Sequence, residues 1–472
     1  MNSALLLGDM AARAAVKTAQ EYHDTTTLHP IGAVSILVLG CWFLCSARSR
    51  AMLPLMILIC FIPSAQRIVI AGADFTFLRI MVLIGLSRIL MRREWTTIKL
   101  NRIDIVYFLW VIVGAIVYVV QQQQLSAIVY ACGTSLDMLG AYLVVRAIFR
   151  SIDDLWSFAR ILAGLAIVVS VFIAVEAISG RNIFGTFGGV PQITAIRDGR
   201  LRCQGAFSHP ILAGVFWAAV GAFLLGGAFG AERRKLFIIG SISCLVIVAA
   251  SASSTPLLGF AAAVGIWGWW PFRRWTRYVF AAAPLVAVAL HLVMTKPVWH
   301  LVTRVSAVGG STGYHRYVLI DGAISHFHEW WLVGSKWTGH WSEHYQTWDL
   351  TNQYVFEGVR GGVWRLALFM LLVGLVALAI GRAQRRADRL SDQLLLWGLG
   401  AALFVHCVCF IGVSYFGQIS YLWYITLAIG SAAGTATFSS DLDHRETYYE
   451  LLDDESIDED LSDPSTIPLF HS

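Results

Sequence analysis

The chain has 472 residues, of which 57% are hydrophobic and only 14% charged, where a soluble domain carries about a quarter. Mean hydropathy of +0.65 excludes an ordinary soluble protein. The net charge of +5 is spread over loops rather than along one soluble domain, which excludes a nucleic-acid-binding stripe. The apolar runs are too long and even for barrel strands, whose residues would alternate. The predicted class is all-α: a polytopic transmembrane bundle of about 12–13 helices with one large loop containing short helices.

In chain order, segment 1–30 is polar or weakly amphipathic and carries no evident cleavable signal. A first transmembrane block, 31–295, holds predicted spans at 31–47, 51–63, 76–91, 105–120, 125–147, 156–178, 207–230, 236–252, 256–271 and 278–294. The second of these is short enough to be re-entrant. A large polar loop follows at 296–360, then a C-terminal block, 361–437, with spans at 361–380, 392–412 and 420–437. The remainder, 438–472, is acidic and poor in aromatics, and reads as a disordered cytoplasmic tail.

Basic clusters orient these spans. Arg48/Arg50, Arg92/Arg93/Lys99/Arg102, Arg146/Arg150, Arg233/Arg234/Lys235, Arg273/Arg274/Arg277 and Arg382/Arg385/Arg386/Arg389 all fall on one side, expected to be the cytoplasm. The intervening loops 121–124, 251–255 and 413–419 carry no basic residue. Against that pattern, loop 180–210 on the other side keeps Arg181, Arg197, Arg200 and Arg202. Arginine retained there suits an anion ligand, although for Arg181 and Arg197 ordinary solvated charge explains as much. The eight cysteines fall almost entirely inside apolar runs, as small buried hydrophobes with no metal or disulfide spacing.

Two constellations carry chemistry. The first runs Arg200-Leu-Arg202-Cys-Gln-Gly205-Ala-Phe-Ser-His209-Pro210 into a helix. Gly205 permits a tight turn and Pro210 suits a first helical turn, placing Arg202 near a helix N-terminus that favours anions. His209 can cap, bind or titrate; an interfacial polar anchor is the plainer alternative. The second lies in the large loop: His315, Arg316, His326, His328, Glu329, His340 and His344 among tryptophans, ending at Asn352-Gln353 with Glu357 and Arg360 beyond. Tryptophan beside amides and carboxylates suits carbohydrate; an interfacial aromatic belt is the bland alternative. Zinc on His326, His328, His340 and His344 is set aside, because their spacing matches no established metal motif. Gln353, Glu357 and Arg360 fall on one helical face, with Asn352 at its edge.

Together these residues resemble the superfamily of O-antigen ligases and of O-antigen and exopolysaccharide polymerases. Its R-x-x-G-x-F-x-(N/H)-P element is similar to Arg202-Cys-Gln-Gly205-Ala-Phe207-Ser-His209-Pro210, and its serine-basic helix end to Ser251-Ala-Ser-Ser-Thr-Pro256. Two further elements resemble Arg316-Tyr-Val-Leu-Ile-Asp321 with Trp331-Leu-Val-Gly334, and Thr351-Asn352-Gln353-Tyr354-Val355 with Gly361-Gly362. Thr351 stands where ligases carry a histidine, and Ser254 where the family has a basic residue.

The resemblance implies a bacterial inner-membrane glycosyltransferase with its large loop and active site in the periplasm. The donor would be an oligosaccharide on undecaprenyl pyrophosphate, and no cofactor is expected. Polymerisation of repeat units fits better than transfer to lipid A core or protein, because the ligase histidine is missing. A lipid-linked-glycan flippase and a non-catalytic assembly protein are the alternatives of other classes. The flippase reading would draw on Asp137, Glu176 and His291 within the spans. The substrate-binding candidates are Arg200, Arg202, His209, Arg316, Asn352, Gln353 and Arg360, with Arg202 and Arg316 expected to share one anion. The proton acceptor is left among Glu357, His315, His340 and His344. A chain-length regulator is a possible partner.

Overall fold

The computed structural model describes residues 25–230, 233–304, 312–345 and 347–435. Most of the N-terminal segment and the acidic tail from 438 lie outside the described residues. The described chain is all-α apart from two short hairpins. Each predicted span has a helix: α1 Pro30–Cys45, α2 Met52–Phe61, α3 Phe77–Met91, α4 Arg102–Gln122, α5 Leu125–Ile148, α6 Ile152–Ser179, α7 Pro210–Gly230, α8 Arg234–Ala250, α9 Ser254–Gly268 and α10 Thr276–Val293. Two short helices follow, α11 Thr312–Ser325 and α12 Phe327–Trp330, and then α13 Gln353–Arg386, α14 Leu390–Cys409 and α15 Gln418–Ala433.

Among the described residues, seven helical segments are long and apolar enough to cross a membrane: α4, α5, α6, α7, α13, α14 and α10 together with the turn before it. Large apolar side chains such as Leu37, Ile178 and Leu292 point outward and stay exposed, as lipid-facing residues do and as a soluble surface rarely does at this extent. The chain is a membrane-embedded helical bundle. The ten residues of α2 rise only about 15 Å, half a hydrocarbon core, so α2 does not span by itself.

Helix α7 is the axis of the bundle, with Phe216, Trp217, Phe223 and Leu224 all buried. Its glycines allow backbones to close in. A Cβ at Gly226 would lie 2.7 Å from the Leu394 carbonyl oxygen of α14, and one at Gly398 would lie 2.5 Å from that of Phe223. Small residues at such crossings replace the hydrophobic drive that lipid does not supply.

Charges inside the bundle are paired, as a low-dielectric interior requires. Asp104 of α4 meets Arg146 of α5 at 2.9 Å and also accepts from the Tyr142 and Ser431 hydroxyls. Asp137 pairs with Arg79 at 2.7 Å. The basic segments gather at one end of the bundle. Arg48 lies 3.5 Å from Asp154, Arg92 donates to the Ser46 carbonyl, Arg146 to that of Lys99, and Trp156 to the Asp392 carboxylate. Loop 180–209 and the described parts of 296–352 cap the opposite end.

Helix α13 begins eight residues before the predicted span at 361. It breaks at Gly362, where φ is 72° and a Cβ would lie 2.5 Å from the Leu332 carbonyl oxygen. The part before the break tucks under the large loop, and the part after it crosses the bundle.

Candidate functional site

The Arg202–His209 stretch is held from below by one carboxylate. Glu176, at the last turn of α6, accepts from the backbone N–H of Gln204 at 3.2 Å and of Gly205 at 2.9 Å, and from the Thr194 hydroxyl at 3.1 Å. Asn182 donates to the Gly205 carbonyl. Gly205 turns with φ 58°, a conformation glycine takes without penalty. Cys203 N–H donates to the carbonyl of Ala250 and so fastens the loop to the end of α8. Glu176 thus shapes the loop rather than lining a path through the bundle.

The turn between α8 and α9 receives two arginines. Arg202 donates to the Ser253 hydroxyl at 2.8 Å, and Arg316 of α11 donates to the Thr255 hydroxyl at 2.7 Å. Those two hydroxyls stand two residues apart, hence at most about 7 Å along the backbone. Arginines 114 positions apart in sequence therefore meet at the N-terminus of one helix. Arg316 is buried, and the buried Nε of Arg202 has no hydrogen-bond partner among the described residues. Burial lowers both guanidinium pKa values, helped at Arg202 by neighbouring Arg197, yet a guanidinium stays charged throughout. Two such groups converging at the opening of α9 make a cationic recess suited to a phosphate or pyrophosphate.

Gly412, after α14, closes this recess. A Cβ there would lie 2.7 Å from the Thr255 hydroxyl and 3.0 Å from the Arg316 guanidinium carbon. The same segment reaches the mouth of α13: Asn352 donates to the Ile411 carbonyl, and Gln353 accepts from Tyr415 N–H. His209 lies on the Arg202 side. Its pKa is pushed down to about 4 by burial, with Arg202 and then Arg197 adding to the effect. Its Nδ1 accepts from Ile211 N–H, so the neutral ring carries its proton on Nε2 as a donor.

Other predicted residues have structural work. Glu357, 1% exposed at its side chain, sits 2.8 Å from Arg365 and accepts from Trp110 and Gln353. The Arg365 Nε–H is not aligned for a hydrogen bond, so that contact is charge attraction. Asn352 caps α13, accepting from Val355 N–H. Arg360 donates to the carbonyls of Ser335 and Lys336, pinning the large loop. Arg200 and His344 are exposed. His340 faces the Glu329 carboxylate at 3.0 Å. His315, next to Arg316, lies in the field of Asp349, whose carboxyl is raised by burial and drawn back by His315.

The pairings of Gly412, Ser253, Arg365 and Asp349 escape sequence reasoning because all are long-range. Only the hydroxyl-rich run 251–255 gave a local signal. The flippase candidates are also engaged: Asp137 with Arg79, Glu176 with the loop, and His291 stacked on Trp299 at 5.2 Å. In comparisons with known proteins, no family model matches the chain, and no curated protein matches it.

Proposed function

We propose that the chain is a metal-independent polymerase that joins undecaprenyl-pyrophosphate-linked oligosaccharide units at the periplasmic face of a bacterial inner membrane. The observation carrying this reading is the convergence of Arg202 and Arg316 on the Ser253–Thr255 turn. An acceptor hydroxyl attacks the anomeric carbon of the donor, and the bond to pyrophosphate breaks with its electrons moving onto the leaving phosphate. Fixed positive charge aimed at that leaving group lowers the barrier. The two guanidiniums would supply it, and the His209 Nε2–H adds a neutral donor. His315, half-buried beside Arg316, takes the acceptor proton. Glu357 is the poorer base, since two donors and the Arg365 charge already engage its carboxylate.

Purified protein in vesicles with a lipid-linked repeat unit tests this. Arg202→Lys and Arg316→Lys should each lower polymer formation about tenfold or more, because a point charge does not reproduce a planar fork. Gly412→Ala should do the same by displacing Arg316. Unchanged turnover in all three folded variants would remove this recess from the chemistry.

A further inference from the structure

The large loop holds a second cluster that the proposed chemistry does not use. His326 lies between α11 and α12, Glu329 lies in α12, and His340 lies in the helical turn Gly339–Trp341. One potential ligand atom from each lies within 4.8 Å of the other two. This is a different set from the four histidines weighed in the sequence, since His344 stands apart and a carboxylate takes its place.

Three details go beyond an ordinary His–Glu pair. The Nδ1 of His326 lies 2.9 Å from the Gly322 carbonyl, which fixes its proton there and leaves Nε2 with a lone pair. That outward tie to a backbone carbonyl is what orients metal-bound imidazoles. Trp341 stacks on the His326 ring at 5.5 Å, 13° from parallel, and also donates to the Glu329 carboxylate at 3.2 Å. His340 Nε2 lies 3.0 Å from both Glu329 oxygens, near the roughly 3.3 Å edge of a tetrahedron with ligand bonds of about 2.0 Å. A His340–Glu329 ion pair alone gives no reason for His326 to be steered onto the same spot.

We propose that His326, Glu329 and His340 form a binding site for a divalent transition metal of the zinc type. Two imidazoles and one carboxylate suit borderline ions and leave a position for water. The bound ion ties the end of α11 to the turn at Gly339–Trp341 and so rigidifies the loop that carries Arg316. The site is separate from the anion recess and stands whether or not the polymerase reading holds.

The test uses the full-length protein in detergent, purified through a tag without histidine and stripped with chelator. Titration with Co2+, read by its visible absorption, and Zn2+ content after dialysis should both give one ion per chain. His326→Ala, His340→Ala and Glu329→Gln should each weaken binding by more than tenfold. Trp341→Phe keeps the stacked ring and loses the donor to Glu329; it should weaken binding by roughly ten- to a hundredfold, as outer-sphere losses do. His328→Ala and His344→Ala should bind as wild type. Absence of a stoichiometric ion in the wild-type protein, or equal losses from the His328 and His344 variants, would overturn the site.

Discussion

At the scale of single residues, two arginines far apart in the chain converge on one turn. Ser253 and Thr255, on either side of Ser254, accept from Arg202 and Arg316. The candidate arginines were legible in the sequence because arginine is unexpected on that side of the basic clusters. Their anchors were not, since hydroxyls two residues apart carry no sign of which side chain will reach them. The same holds for Glu357, whose charge invites a catalytic reading until Trp110 and Arg365 surround it. His209 supplies a pH prediction. Its folded pKa of about 4 lies below the ordinary value of 6.5, so between these limits the unfolded chain binds the extra proton and stability rises with pH. That contribution is complete above pH 6.5 and is lost as pH falls toward 4. Thermal unfolding of the purified protein should therefore weaken on acidification through this window, with a shallower decline in His209→Gln. Equal slopes would show that the ring is not buried neutral.

At the scale of elements, hydropathy located the apolar helices in chain order, because lipid rewards uniform apolar runs that no soluble context favours; of the 12–13 spans expected, seven described segments are long and apolar enough to cross by themselves. The two hairpins were less visible. Their turns, Ala71-Gly72 and Asp198-Gly199, both take positive φ; Asp-Gly is a strong hairpin signal, obscured here by its setting in an arginine-rich loop. The break at Gly362 was likewise hidden, since a glycine pair beside an apolar run marks a span's start as readily as a kink within it. Placing Glu357 before that kink makes it a clasp between the loop-side segment of α13 and α4. Removing one partner of a buried ion pair costs about 3–5 kcal/mol. Glu357→Gln should lower the unfolding temperature and the membrane level, and adding Arg365→Met should restore much of both. Normal stability with lost polymer formation in Glu357→Gln would instead return the carboxylate to catalysis.

At the scale of the whole molecule, the basic segments at one end and the anion recess at the other define a polar axis. The proposed orientation puts the basic end in the cytoplasm. In intact cells, an impermeant thiol reagent should label a cysteine placed at Trp337 and spare one at Ala387, each in a background whose exposed cysteines are replaced. The opposite pattern would place the recess on the cytoplasmic side and end the periplasmic mechanism. The network around Asp104 has a further consequence for how the molecule is made. Its last donor, the Ser431 hydroxyl, lies 327 residues downstream and emerges from the ribosome long after α4 and α5 have entered the membrane. Until α15 arrives, Asp104 and Arg146 hold each other with one acceptor site unfilled. This end of the bundle is therefore fastened only when α15 is inserted, so its closure waits on the last of the described helices.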